Sequence, residues 1–232
     1  MNRAEFDRFA DEYRALHQRS IAVSGESPEY FAEYKIVDLK RVVGAGTTGI
    51  ETGRFLDVGA GIGASVPYFR KHFPRAHLTC VDVSTRSLRI GIERSAGNGS
   101  FVAFDGRRLP FDDAAFDCVF ANCVFHHIAP ADQRALLQDL RRVLKRDGHV
   151  VIYEHNPLNP LTIRAVNACE FDRNARLIRA ASLEATLAAA GFRQLETEYR
   201  VFFPRILRGL RRFERSLAWL PLGAQYFVCG RK

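Results

Sequence analysis

The chain has 232 residues, 47% of them hydrophobic and 26% charged, with a formal net charge of +8. This fits one large domain, or one domain with a small lobe, and is ample for a full core. No run approaches the roughly 20 apolar residues of a membrane span, and the charged N-terminus lacks a signal-peptide centre, so a cytoplasmic protein is expected.

Residues 2 to about 20 are expected to form a helix. The segment SPEYFAEYKIVDLKRVV follows as a second one, with Ser27 as N-cap and Pro28 in its first turn. Tyr30, Phe31 and Tyr34 lie close together on it, suited either to closing over a site or to packing on a sheet. GAGTTGIETG (44–53) reads as a loop. Residues 1–50 are therefore expected to be a helical lid ahead of a main unit, 51–232.

From Arg54 the pattern changes. RFLDVG, HLTCVDVS, GSFVAFDG, FDCVFANCV and HVVIYEHN read as short apolar strands. Between them GASVPYFRKHF, TRSLRIGIERS and PADQRALLQDLRRVLKRDG have helical period, the last ended by Gly148. SLEATLAAAGF is a helix, RQLETEYRVFF a strand, 204–219 a basic helix and GAQYFVCGRK a strand. Strands alternating with helices mean βαβ units and a parallel sheet covered on both faces.

In such a sheet ligands sit beyond the carboxyl ends of the strands. Gly59, Gly61 and Gly63 occupy the loop after the first strand, where absent side chains let backbone N–H groups face a ligand. Gly59, Gly61 and Ala64 also fit a dinucleotide fingerprint, and Asp82 ends the second strand where an acid binds ribose. The loop alone does not choose between a nicotinamide dinucleotide and a smaller nucleoside. Asp57 favours the smaller one, because a carboxylate there suits a cationic ligand and is unhelpful beside a pyrophosphate.

With these residues in view, D-V-G-A-G-I-G resembles the first motif of class I S-adenosylmethionine-dependent methyltransferases. FDGRRLPFDDAAFDCVFANCVFHHI is similar to the following segment of small-molecule members, including the ubiquinone and menaquinone group. The resemblance covers 54 to about 155. It implies a Rossmann-like, seven-stranded, mostly parallel sheet with an antiparallel last strand, and S-adenosylmethionine as cofactor. It assigns cofactor binding to Asp57, Gly59, Ala60, Gly61, Gly63, Asp82, Val83, Asp105, Gly106, Asn122, Cys123 and His127. Asp82 would hold the ribose hydroxyls, Asp105 and the Gly106 N–H the adenine, and the Asn122–Cys123 backbone the methionine portion.

Methyl transfer needs alignment and exclusion of water, and a base only where the acceptor loses a proton. His155, His126 and Glu154 are the candidate catalytic residues at the ligand-binding edge, with His155 preferred as base. The acceptor is expected to be a small molecule or a glycan- or lipid-linked one, methylated on oxygen, with carbon methylation of a quinone-like ring as the nearest alternative. Asn-Pro follows the fifth strand, not the fourth, which weakens a nucleic-acid reading. Cys80, Cys118, Cys123, Cys169 and Cys229 lack CxxC spacing, so reduced thiols and no metal are expected.

Residues 158–222 are expected to supply acceptor-side elements. From Arg200 to the end stand eight basic residues and one acid, Glu214, a local excess of +7. Phe203, Ile206, Leu207, Leu210, Phe213, Leu217 and Leu220 follow helical spacing among arginines. Such a helix meets an anionic membrane surface or substrate through 203–220; the plainer expectation is an apolar stripe packed on the domain with solvated arginines. The oligomeric state is not legible.

Overall fold

The alternating apolar segments assemble into one sheet. In the computed structural model, which describes residues 3–44 and 49–232, the sheet has seven strands among the described residues, in the order β3-β2-β1-β4-β5-β7-β6. These are β1 (Arg54–Val58), β2 (His77–Asp82), β3 (Ser100–Ala103), β4 (Phe116–Asn122), β5 (Leu144–His155), β6 (Arg193–Arg200) and β7 (Gln225–Arg231). β1 to β5 pair in parallel, and β7 inserts antiparallel to both β5 and β6. The expected Rossmann-like sheet, with its antiparallel last strand, is present.

Period-two alternation splits the core into two layers. Leu56 and Val58 of β1, Val119 and Ala121 of β4, and Val150 and Ile152 of β5 face one side, against α6 (Pro130–Val143) and α8 (Ala180–Ala189). Phe55, Cys118, Phe120, Val151 and Tyr153 face the other, against α3 (Pro28–Gly44) and α4 (Val66–His72). α3 buries Ile36, Leu39 and Val43 there, so it is part of the body of the fold. α5 (Thr85–Ser95) starts at Ser84, whose hydroxyl accepts the Ser87 N–H as an N-cap.

Four expectations need correction. The first segment is two helices, α1 (Arg3–Phe9) and α2 (Tyr13–Ser20), not one; Asn2 lies outside the described residues. The break lets Phe6 and Tyr13 both meet the ring of Phe171, at 5.3 and 5.1 Å, while Asp7 and Asp11 reach Ser84 and Arg86 at the start of α5. In the loop before β1, 45–48 also lie outside the described residues, and Ile50–Thr52 is a 3-10 turn. α6 stops at Val143 rather than at Gly148. Leu144 is fully buried and pairs with Phe116, which draws the chain into β5 five residues early.

The basic segment is a 3-10 stretch, Arg205–Leu217, kinked at Leu207. The middle of its apolar stripe, Ile206 to Phe213, does not pack on the domain, while Phe203, Leu217 and Leu220 are half-buried. Ile206 is 89% exposed and Trp219 73%, and Leu207, Leu210, Phe213 and Leu222 are exposed too. Three residues per turn align Leu207, Leu210 and Phe213 along one ridge. The segment is anchored instead by Glu214, which is buried and accepts the Phe202 and Phe203 N–H groups, and by Arg211, paired with Glu26 and lying over the Tyr30 ring. α7 (Pro160–Asn167) is tied to the chain after this stretch, since Asn159 donates to the Leu222 carbonyl and Thr162 to that of Ala224.

Candidate functional site

The carboxyl ends of β1, β2, β4 and β5 open into one cavity, roofed by α1, α2 and the start of α3. Its floor is the glycine loop. Gly59 takes φ +72°, and a Cβ there would sit 2.5 Å from Val124 Cγ2, so only glycine lets the loop lie on the turn after β4. Gly61 takes φ +53° and would meet nothing within 4 Å; its open side faces the cavity, where a ligand's atoms belong. Gly63 is outside the cavity wall and packs on the Phe101 ring.

Asp82 organises this loop. One carboxylate oxygen accepts the Gly61 N–H and the other the Ser84 N–H, each at 2.8 Å. Burial pushes its carboxyl up while these bonds oppose the shift. Each oxygen keeps a lone pair for a hydroxyl of a diol. Val83 and Ala60 line the wall beside it.

Asp57 is buried, and burial pushes its carboxyl up to about 7 against the hydrogen bond from Ser65. One oxygen takes the Ser65 hydroxyl; the other, Oδ1, has no partner among the described residues. Asn122 Oδ1 is likewise buried and unpartnered. Both residues line the cavity. Two unsatisfied acceptors there fit a ligand that brings a cationic donor, and leaving them unmet costs about 1–3 kcal/mol each. The residues present thus fit the ammonium of an S-adenosylmethionine amino-acid portion.

A second group lies at the ends of β4 and β5. Cys123 has φ +59°, an uncommon backbone for a residue with a side chain. Its sulfur is 3.2 Å from Lys35 Nζ and 3.7 Å from Gln225 Nε2, and the same amide reaches His155 Nδ1 at 3.2 Å. Burial would raise the Cys123 thiol, but Lys35 and His155 outweigh it and draw it down to about 7. His155 moves the opposite way: burial disfavours its charge, and Cys123 overcomes that and raises it. This is a thiol–imidazole pair sharing charge in the cavity wall.

His126 and His127 form a short 3-10 turn with Phe125. Glu154 fixes it from below, accepting the Phe125 N–H at 2.7 Å and meeting His126 Nδ1 at 2.5 Å. Glu154 is fully buried and outside the cavity wall. Its carboxylate thus meets the turn and His126 and does not reach the cavity, where it was expected to lie. Burial opposes charge on His126, yet Glu154 and Asp172 together hold it up, to about 10. At neutral pH His126 is already protonated and a poor base. His155 is the better placed of the two.

Asp105 and Gly106 lie outside the cavity wall. Asp105 is exposed and accepts the Arg108 and Arg107 N–H groups, which hold its carboxyl low. The other expected cofactor residues, Asp57, Gly59, Ala60, Gly61, Asp82, Val83, Asn122, Cys123 and His127, are brought together. Lys35, Tyr13, His17, Cys169, Phe171 and Asp172 also line the cavity and escaped the sequence reading. They come from three separate segments without a local motif. Only the helical phase of Lys35, one residue before the buried Ile36, hinted at an inward position.

Comparison with known proteins identifies the family. The family model described as "Methyltransferase domain" matches residues 56–152. A malonyl-[acyl-carrier protein] O-methyltransferase of Geobacter sulfurreducens is 31% identical over 181 residues, 71% of this chain and 67% of that protein. A demethylmenaquinone methyltransferase of Thermotoga maritima is 31% identical over 154 residues, 66% of this chain and 61% of that protein. The chain thus spans about two thirds or less of these relatives' lengths. Among solved structures, a SAM-dependent methyltransferase of Thermotoga maritima superposes with a TM-score of 0.67 over 99% of each chain, at 19% identity. That likeness is one of fold.

Proposed function

The chain belongs to the class I S-adenosylmethionine-dependent methyltransferases, and from that premise we propose that it methylates a hydroxyl oxygen of a small-molecule or lipid-linked acceptor. The bound cofactor supplies a methyl group on a sulfonium. The glycine loop and Asp82 hold its ribose side, and Asp57 with Asn122 meets its ammonium. Cys123 and His155, bridged by the Gln225 amide in the same cavity wall, receive the acceptor's proton; this arrangement is the observation that carries the oxygen reading. A phenolic ring carbon would draw on the same base, so the atom that receives the label separates the two acceptors. Lys35, beside Cys123, is suited to an anionic group on the acceptor.

α1 and α2 act as the lid in this reading. Phe6, Tyr13 and Leu16 turn apolar surface to the cavity and exclude water from the transfer. The acceptor side is apolar at its rim: Val23, Leu158 and Leu161 are about half exposed, close to where Asn159 binds Leu222. Arg205, Arg208, Arg212 and Arg215 are exposed on the adjoining stretch. Exposed apolar residues mixed with arginines suit an acceptor presented at an anionic membrane surface.

The test is transfer of labelled methyl from S-adenosylmethionine into a polar-lipid extract. The expected product carries label on oxygen, and His155→Gln lowers kcat by roughly 100-fold, the scale of a lost general base. Label on a ring carbon, or a His155→Gln chain as fast as the parent, would overturn the oxygen assignment.

A further inference from the structure

We propose that His126, His127 and Asp172 form a binding site for one divalent first-row transition cation, open to the cavity. Each residue offers one ligand atom, and the three atoms lie within 4.8 Å of one another. His127 Nε2 is 3.3 Å from Asp172 Oδ1, and His126 Nε2 is 3.6 Å from the same oxygen. Nitrogen and oxygen ligands sit about 2.0–2.2 Å from such an ion, which puts neighbouring ligand atoms roughly 3–3.5 Å apart. Two of the three spacings are therefore near the required value before any ion arrives, and the third lies within 4.8 Å.

Two further observations point the same way. His126 gives its far nitrogen, Nδ1, to the Glu154 carboxylate at 2.5 Å. That contact fixes the ring and turns Nε2 toward Asp172, the support that metal-binding histidines ordinarily have. His127 Nε2 is buried and has no hydrogen-bond partner among the described residues, in a side chain only 9% exposed. In an ion-pair network with Asp172 that nitrogen lies 3.3 Å from Oδ1 with no hydrogen bond between them. A cation satisfies both rings with one group, displacing to solvent the Nε2 proton that the two carboxylates otherwise hold on His126.

The site is stiff. Gln133 donates to the carbonyls of Phe125 and Ile128, each at 3.1 Å, and the His126 carbonyl accepts the Arg176 N–H at 2.8 Å. Phe6 and Phe171 set ring edges against His127, at 5.3 and 5.0 Å. Two imidazoles and one carboxylate suit manganese, iron, cobalt, nickel or zinc better than magnesium or calcium. Three protein ligands leave coordination positions free. All three side chains line the cavity, so those positions open into it, where an acceptor oxygen could be held and acidified. That role rests on the methyl-transfer reading; the binding of the ion does not.

The experiment uses the full chain, stripped with a chelator and titrated with Co²⁺ alone, followed by calorimetry and visible absorption. One ion per chain is expected, with d–d bands. Asp172→Asn and His127→Gln, each shown to be folded by circular dichroism and a thermal melt, should each bind at least about tenfold more weakly. Glu154→Gln, if folded, should lose roughly 10–100-fold, the usual effect of a lost supporting carboxylate. No stoichiometric binding by the parent chain would overturn the proposal, as would unchanged affinity in both Asp172→Asn and His127→Gln, which would put the ion elsewhere. No methyl acceptor enters the titration, so its failure leaves the methyl-transfer reading standing.

Discussion

Asp57 carries the clearest electrostatic consequence of the site. It is a carboxyl that burial pushes up to about 7, with Ser65 bonded to it and Asp82 and Lys35 nearby. The unliganded fold therefore keeps a proton on Asp57 below neutrality, while a cationic ligand needs the carboxylate. Binding must then expel that proton at lower pH, so affinity for S-adenosylmethionine should fall about tenfold from pH 7.5 to pH 6, one pKa unit being worth about 1.4 kcal/mol. Calorimetry in two buffers of different ionisation enthalpy would show proton release at pH 6. Asp57→Asn should flatten the dependence, and a flat profile in the parent chain would remove Asp57 from the cofactor site. At this scale the sequence is informative where the signal is local. The glycine loop, Asp57 and Asp82 fall at strand ends that the apolar runs mark. Asp172 and Tyr13 were invisible, because they reach the cavity only through the long-range packing of Phe171 against α1 and α2.

Among the elements, α3 is held to the β6–β7 edge by charge as well as by its apolar face. Asp38 on α3 meets Arg200 at the end of β6 at 2.6 Å, both largely buried, and Arg41 pairs with Glu198. Burial raises the Asp38 carboxyl even with Arg200 beside it. Removing Arg200 leaves buried Asp38 with only Arg41, at 3.7 Å, so the loss falls below the roughly 3–5 kcal/mol of a fully stranded charge. Arg200→Ala should lower the unfolding free energy, read from a denaturant titration, by about 1–3 kcal/mol. Arg200→Met together with Asp38→Leu should recover most of it; equal loss in both chains would mean that packing, not the pair, is lost. Strands and most helices were readable from period alone. The ends of α6 and the split between α1 and α2 were not, since Leu144 is pulled into the sheet and the α1–α2 turn is set by residues of α5. The 3-10 form of 205–217 was also hidden, because its sequence spacing fits an α-helix equally well.

The whole molecule places its exposed apolar residues unevenly. Ile206, Trp219 and Leu222 stand out on the arginine-bearing stretch, and Leu158, Leu161 and Ile163 on the neighbouring turn and α7. No helix among the described residues is long and apolar enough to cross a membrane. Trp219 is the single tryptophan of the chain, so its emission reports on this face without labelling. Vesicles rich in anionic phospholipid should shift that emission to the blue, neutral vesicles should not, and Arg208→Glu with Arg212→Glu should abolish the shift. Equal response to both vesicle types would remove the membrane partner. Behind that face, the cavity is ordered around Asp82, one oxygen of which sets the glycine loop and the other the start of α5 before any ligand binds. The most direct measurement is a calorimetric titration of the intact chain with S-adenosylmethionine and, separately, with NADH. Micromolar binding of one S-adenosylmethionine per chain, no heat from NADH and loss of binding in Asp82→Ala are the predicted results. Binding of NADH in place of S-adenosylmethionine, or undiminished affinity in Asp82→Ala, would contradict the assignment of this cavity.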